Sequence, residues 1–153
     1  MSILSRLQHK GPTVVFVTTD HAGRVRQELI AAGISKTGLR SFGSRYLPQI
    51  VHQDEHIGGV VYGRQTNDSA LLIATNQRIL FLDKKPLFVD ENEVSYDVVS
   101  GISFSHAGFG STVTLHTRIE DFTLHTLNQK AARIFMEYVE SQTQIHKQRR
   151  DLF

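Results

Sequence analysis

The chain has 153 residues, of which 40% are hydrophobic, and its 17 basic and 15 acidic side chains give a formal net charge of +2. This size suits one globular domain with an ordinary core and an appendage. The balanced charge argues against a nucleic-acid-binding protein. The absence of cysteine excludes disulfides, thiolate nucleophiles and thiolate metal sites.

The apolar residues never form a run of about 18, so we expect no integral membrane segment. The first ten residues contain scattered apolar side chains without the continuous apolar stretch of a secretory signal. Together with the lack of cysteine, this leads us to expect a cytoplasmic protein.

The first 40 residues predict a strand-and-helix extension. Thr13 to Thr19 is rich in β-branched residues and predicts a short strand. Asp20 is a suitable cap for a helix that would end at Gly33. This helix would carry its apolar side chains on one face, namely Val25, Leu29 and Ile30.

A second short helix is predicted after a loop marked by Gly38 and Gly43. Ser44 would cap this helix, which would run through His52 with Pro48 near its start, where a missing N–H is tolerated. Because no low-complexity linker follows, we expect residues 13–52 to pack against the rest of the chain.

The stretch from Ala70 to Asp83 is the strongest structural signal in the sequence. Two short apolar runs flank the polar segment 75–78, whose Asn76 tolerates a positive φ. This pattern predicts a tight β-hairpin with largely buried arms.

Further strands are predicted on both sides of this hairpin. His56 to Arg64 is a strand in which Gly58 and Gly59 indicate a bulge or a bend where backbones approach closely. Val94 to His106 supplies another strand. A second hairpin alternates clearly, with its inward positions at Val113, Leu115, Phe122 and Leu124 and its outward positions at Thr114, His116, Thr123 and His125.

The C-terminal region predicts one long amphipathic helix over residues 129–147, capped by Asn128, with residues 149–153 as a basic, frayed tail. About seven short strands followed by one such helix indicate an α+β fold. The sheet would curl, and the helix would cover its open end.

These elements resemble a known family. The run Leu72 to Leu82 is similar to the second and third strands of bacterial pleckstrin-homology (PH) domains, nearest to the YokE-like group and more distantly to GRAM domains. The segments Phe42 to Pro48, His52 to Glu55 and Val94 to Ile102 extend the likeness. It implies a PH-like barrel of two nearly orthogonal sheets, with residues 1–40 as an extension and 41–148 as the PH-like domain.

The resemblance does not bring a lipid site with it. PH domains that bind phosphoinositides hold the phosphates with several Lys and Arg around the first hairpin loop. Here the corresponding residues 62–69 contain one cation, Arg64, and one anion, Asp68. Arg78, Lys84 and Lys85 could add weak attraction to an anionic membrane.

Two histidine pairs suggest a metal site as a further alternative. His52 and His56 have i, i+4 spacing, and His116 and His125 share one face of the last hairpin. Two imidazoles are too few for a closed site, which needs four ligands. No nucleophile elbow, P-loop or dinucleotide fingerprint is present, so we expect neither catalysis nor a cofactor.

The functional hypothesis is therefore a non-enzymatic binding or scaffold module that associates with itself or with another protein. The expected mechanism is strand addition, with the Gly58–Gly59 strand and residues 1–20 as the candidate contacts. Weak binding of anionic phospholipid is the alternative, and a histidine metal site or hydrolase is the second alternative. The tentative binding surface comprises Gly58, Gly59, Arg64, Arg78, Lys84 and Lys85.

Overall fold

The computed structural model describes residues 19–152, so the strand expected at residues 13–19 lies outside the described residues except for its last member. Three helices come first and a long helix comes last, with seven strands between them. The helices are α1 (Thr19–Ala31), α2 (Lys36–Leu39), α3 (Phe42–Ile50) and α4 (Gln129–Asp151), with a 3-10 helix at Tyr96–Val98. The strands are β1 (Ile57–Gln65), β2 (Asp68–Thr75), β3 (Ile79–Lys84), β4 (Val89–Val94), β5 (Val99–Ala107), β6 (Gly110–Thr117) and β7 (Asp121–Thr126).

Within the described residues, the strands form one antiparallel sheet in the order β4-β3-β2-β1-β7-β6-β5. The junction between β1 and β7 consists of one ladder pair, Arg64 opposite His125. Strands β1–β4 and β5–β7 are therefore two groups that meet at a narrow crossing. This arrangement confirms the predicted α+β, PH-like fold with seven antiparallel strands and a C-terminal helix.

Helix α4 closes the core between the two groups of strands. Asn128 caps it as predicted, because its side-chain oxygen accepts a hydrogen bond from the backbone N–H of Ala131 at 3.0 Å. Phe135 and Val139 are buried against the inward side chains of the sheet. The helix continues through Arg149 and Arg150 to Asp151, four residues beyond the predicted end at residue 147.

A second apolar layer covers the opposite face of β1–β3. Val25 and Leu29 of α1 and Leu47 of α3 pack there against side chains such as Ile73 and Leu80. Both faces of β2 are thereby covered, and every residue from Ala70 to Thr75 is buried. The expectation that the N-terminal segment packs against the sheet is confirmed for its described part.

The end of α1 follows the sequence, whereas its start and its apolar face differ in detail. Gly33 adopts a positive φ of 89°, and its N–H and that of Ile34 bond back to the carbonyls of Ile30 and Leu29. These are the two bonds of a Schellman cap. The helix already includes Thr19, so Asp20 lies in its first turn and does not cap it. Ile30 is exposed because it lies off the Val25–Leu29 face.

The predicted start of the next helix is wrong. The expected loop contains the short helix α2, and α3 is capped by Ser41, whose side chain accepts a bond from the Ser44 N–H. The Ser44 hydroxyl is buried and donates to the carbonyl of Gly38. Pro48 consequently lies near the end of α3, which stops two residues later.

The boundary between β4 and β5 also differs from the prediction. Val94 ends β4 and does not begin the following strand. The 3-10 helix at Tyr96–Val98 separates it from β5, and Ser95 caps that turn through the N–H of Asp97.

Candidate binding surfaces

The glycine pair proposed as a contact surface lies inside the molecule. Its strand, β1, pairs with β2 on one side, and on the other side it pairs with β7 at Arg64 alone, while α4 packs against Gly58 and Gly59. A Cβ atom on Gly58 would lie 2.0 Å from the Tyr138 ring, and one on Gly59 would lie 2.9 Å from the backbone of Phe135. The prediction of a bulge is confirmed by the register shift here, but its role is to admit α4.

Arg78 is also occupied within the fold. Its guanidinium donates two hydrogen bonds to the fully buried carboxylate of Glu55, through Nε at 2.9 Å and Nη2 at 3.0 Å. The Thr75 hydroxyl and the His52 backbone N–H donate to the same carboxylate. This ion pair joins the segment before β1 to the turn between β2 and β3, so Arg78 is not available to a membrane.

The hydrogen bonds of Glu55 outweigh the effect of its burial. Burial by itself would raise the pKa of this carboxyl group, but the donors from Arg78, Thr75 and His52 hold the pKa below its usual range. The bond to Glu55 likewise raises the pKa of Arg78. The pair is therefore ionised at neutral pH, and it holds the segment before β1 against the β2–β3 turn.

A second polar network fastens α1 to the same segment. Arg24 donates to the Glu28 carboxylate at 2.9 Å and to the backbone carbonyls of His52, Gln53 and Glu55. The other carboxylate oxygen of Glu28 accepts from the backbone N–H of Ile57 at 2.9 Å. Burial would raise the pKa of Glu28, but these bonds lower it. The members of this network are about 30 residues apart in the chain, so no local sequence pattern predicts it.

The β3–β4 loop combines the two predicted lysines with exposed apolar side chains. Lys85 forms ion pairs with Asp83 at 2.8 Å and Asp68 at 3.5 Å, while Lys84 is exposed. Next to them, Leu87 is 94% and Phe88 is 62% exposed. The loop thus presents an apolar tip beside two lysines, of which Lys85 is ion-paired and Lys84 forms no ion pair within residues 19–152.

The histidine pairs are not arranged as metal sites. His116 lies opposite Asp121 and His125 lies opposite Thr112, so they occupy different positions along the hairpin. His52 and His56 contact separate carboxylates. Among residues 19–152, no three side chains of the types His, Asp and Glu gather where a metal ion could be held.

Arg64 and His125 instead lie beside each other at the β1–β7 crossing. They line an open groove of about 790 Å³ between the N-terminal helices and the β6–β7 hairpin. His125 is positioned by a 2.8 Å contact between its Nδ1 and the Thr112 hydroxyl. Of the six residues in the tentative binding surface, Arg64 is the one that lines this groove.

The two edge strands of the sheet differ in charge. β4 carries three exposed carboxylates, Asp90, Glu91 and Glu93. β5 is nine residues long and contains no Asp, Glu, Lys or Arg. Charged side chains commonly protect an edge strand from pairing with other chains. By this criterion β4 is protected and β5 is open.

No curated protein matches the chain. A crystal structure of a DUF1696 family protein with a pleckstrin-homology domain, from Shewanella loihica PV-4, is similar at 15% identity with a TM-score of 0.39, over 56% of this chain and 78% of that one.

The described helices include none that is long and apolar enough to cross a membrane. The model of the family described as "Bacterial PH domain" matches residues 51–141, which is more than half of the chain. This range contains all seven strands and the first half of α4. The chain belongs to the bacterial PH domain family.

Proposed function

We propose that this protein is a binding module that joins chains through the open edge of β5, and that its partner is a second copy of itself. The observation that carries the proposal is the contrast between the edges. β5 offers nine residues of backbone without a charged side chain, and within residues 19–152 it pairs on one side, with β6. An unprotected edge is a template for strand addition.

Symmetry explains why a second copy suits this edge. When the same strand from two chains pairs antiparallel about a two-fold axis, residue i of one chain faces residue j of the other and j faces i, so the strand pairs with its own sequence reversed. On β4, such pairing would bring Asp90, Glu91 and Glu93 close to the same residues of the partner. On β5, it would cover the half-buried side chains of Ile102 and Phe104 without charge repulsion.

Light scattering after size-exclusion chromatography tests the proposal. We expect the wild-type chain to have the mass of a dimer, and the double variant Ser103→Lys/Ser105→Lys to have the mass of a monomer. Both serines are exposed on β5, and lysines on an edge strand oppose pairing. The control Gln144→Lys/Gln148→Lys adds the same charge to exposed positions of α4 and should remain dimeric. A monomeric wild-type chain, or a β5 variant that still dimerises, would refute self-association through this edge.

A second candidate function, peripheral binding to anionic membranes, is favoured by the β3–β4 loop. Exposed Leu87 and Phe88 could enter the interface while the exposed Lys84 faces acidic headgroups. Arg78 does not take part, because Glu55 holds it.

Vesicle sedimentation separates this candidate from the first. If the loop binds membranes, wild-type protein pellets with vesicles containing phosphatidylserine, pelleting falls as salt is raised, and Leu87→Ser/Phe88→Ser abolishes it. Ile119→Ser is the matched control, because this side chain is equally apolar and exposed on another turn. Wild-type protein that stays in the supernatant would eliminate the candidate.

A further inference from the structure

The β1–β7 crossing places two nitrogen-bearing side chains together. Arg64 and His125 are direct cross-strand neighbours, and such neighbours have Cβ atoms about 5 Å apart on one face of the sheet. Both are exposed. The guanidinium is cationic and the imidazole can donate a hydrogen bond, so the pair presents two donor groups to an anion on one face of the sheet.

The backbone crossing fixes this arrangement. A Cβ atom on Gly63 would lie 2.0 Å from the carbonyl oxygen of His125, so glycine is needed for the strands to approach. The Thr126 hydroxyl donates to the carbonyl of Tyr62 at 2.9 Å and ties the same strands together. Because Thr112 contacts Nδ1 of His125, Nε2 is the ring nitrogen that remains for a ligand.

The groove around the pair has the size and polarity of a ligand site. Its volume of about 790 Å³ lies within the range of about 300–1,000 Å³ usual for small-molecule pockets. Within the described part of the chain, none of the lining side chains is a carboxylate, and Arg64 forms no ion pair. Hydroxyl groups, the Asn128 side-chain amide and the apolar surface of Tyr62 and Leu127 complete the lining.

We propose that this groove binds a small organic anion, with its carboxylate or phosphate group held between Arg64 and His125 and its apolar part against Tyr62 and Leu127. The guanidinium supplies a charge-assisted, forked pair of donors, and the imidazole supplies a further donor. This site is separate from the β5 edge and from the β3–β4 loop, so it does not depend on either proposed function.

Titration calorimetry of the full chain with phenyl phosphate tests the site, with benzyl alcohol as a neutral analogue. We expect phenyl phosphate to bind and benzyl alcohol not to bind. Arg64→Gln should weaken binding about tenfold, which corresponds to about 1.4 kcal/mol, the scale of one charge-assisted hydrogen bond. His125→Ala should also weaken it. Arg26→Gln, at an exposed arginine of α1, is the control and should leave the affinity unchanged.

Amide chemical shifts locate the ligand and guard against a folding artefact. Phenyl phosphate should shift the amide signals of residues 63–64 and 125–127, and Arg64→Gln should keep the wild-type spectrum elsewhere. The proposal is overturned if wild-type protein does not bind, or if Arg64→Gln binds as tightly as wild type while folded.

A last measurement identifies the source of the anion. Vesicles containing phosphatidic acid carry the same phosphate monoester in a headgroup. Pelleting that is lost in Arg64→Gln and competed by phenyl phosphate would assign the site to a lipid headgroup. Binding of phenyl phosphate without such pelleting would assign it to a free metabolite of this class. Both results support the site.

Discussion

At the scale of single residues, the Glu55–Arg78 pair explains two of the motifs that carry the family resemblance. One motif, His52 to Glu55, ends in Glu55, and the other, Leu72 to Leu82, contains Thr75 and Arg78. Their side chains meet in one buried cluster, which also contains the N–H of His52. The motifs therefore mark a structural requirement, namely that the segment before β1 be fastened to the β2–β3 turn.

Replacing Glu55 with glutamine should destabilise the protein strongly. Arg78 would keep a charge in a largely buried position without its main partner, and breaking such a pair costs about 3 kcal/mol. Urea unfolding measures the change. Glu93→Gln is the matched control, because this carboxylate contacts Arg78 from an exposed position, where a pair contributes less than about 1 kcal/mol. Equal changes in the free energy of unfolding for the two substitutions would contradict a stabilising role of the Glu55–Arg78 pair.

The lowered pKa of Glu55 makes this contribution depend on pH. Because the folded-state pKa lies below the ordinary value of 4.5, the stabilisation is fully present above that value and is lost as the pH falls through the folded-state pKa. The difference in the free energy of unfolding between wild type and Glu55→Gln should therefore be constant from pH 7 to about pH 5 and shrink below about pH 4. A difference that grows on acidification would contradict this assignment.

At the scale of elements, β1 is the strand that joins the two groups of strands to each other and to α4. It pairs with β2 along its whole length and with β7 at one ladder position, and it contacts α4 at its bulge. Three of its glycines, Gly58, Gly59 and Gly63, lie where another element approaches too closely for a side chain. Their role is to admit neighbours, which the sequence pattern by itself did not distinguish from an open surface.

Gly63→Ala should destabilise the protein by at least about 2 kcal/mol, because the added methyl group would overlap a backbone carbonyl that cannot move freely. Gly101→Ala is the control within the same sheet, since a Cβ atom there meets no atom within 4 Å. We expect this control to change stability by less than about 0.5 kcal/mol. Thermal or urea unfolding of both variants checks the prediction.

Replacing Gly23 with alanine should change the stability in the opposite direction, because this position has open space around it. This residue lies in α1, and a Cβ atom there meets nothing within 4 Å. Gly23→Ala should stabilise the protein by about 0.5–1 kcal/mol, because alanine loses less backbone entropy in a helix. A lowered midpoint of unfolding would show that α1 is not helical at this point.

At the scale of the whole molecule, the N-terminal helices form part of the fold. They cover the outer face of β1–β3, where Leu71, Ile73, Leu80 and Leu82 are buried. A boundary at residue 40 therefore divides the chain through a packed layer. The family match from residue 51 covers the sheet without the helices that shield this face.

A chain that begins at Ser41 should consequently expose this apolar face. We expect it to bind the dye ANS and to aggregate, whereas the full chain does neither, because contiguous apolar surface of this kind drives association. Leu29→Ala in the full chain disturbs the same apolar layer to a smaller extent. It should lower the free energy of unfolding by about 2–4 kcal/mol, as is usual for a buried leucine. A truncated chain that stays monomeric and unfolds at the wild-type temperature would contradict this account.

The order of the elements could be predicted because it depends on local pattern. Alternation identified the β6–β7 hairpin, paired apolar runs identified β2 and β3, and a capped apolar stripe identified α4, since each of these signals lies within about 20 consecutive residues. Helix starts were predicted less well. Ser41 and Ser44 are both suitable caps by residue type, and the choice between them depended on the carbonyl of Gly38, which the Ser44 hydroxyl reaches.

The sequence alone therefore determined the elements, the curled antiparallel sheet and its closing helix, because side-chain periodicity sets which face of each element is buried. The tertiary structure decided what each polar or glycine residue does. Arg78 forms a buried ion pair with Glu55, Gly58 and Gly59 leave space for α4, and Arg64 lies opposite His125. Each of these roles depends on a partner 20 to 80 residues away in the sequence. Contacts between residues so far apart in the sequence form only when the strands and helices pack together, and no local sequence pattern encodes them.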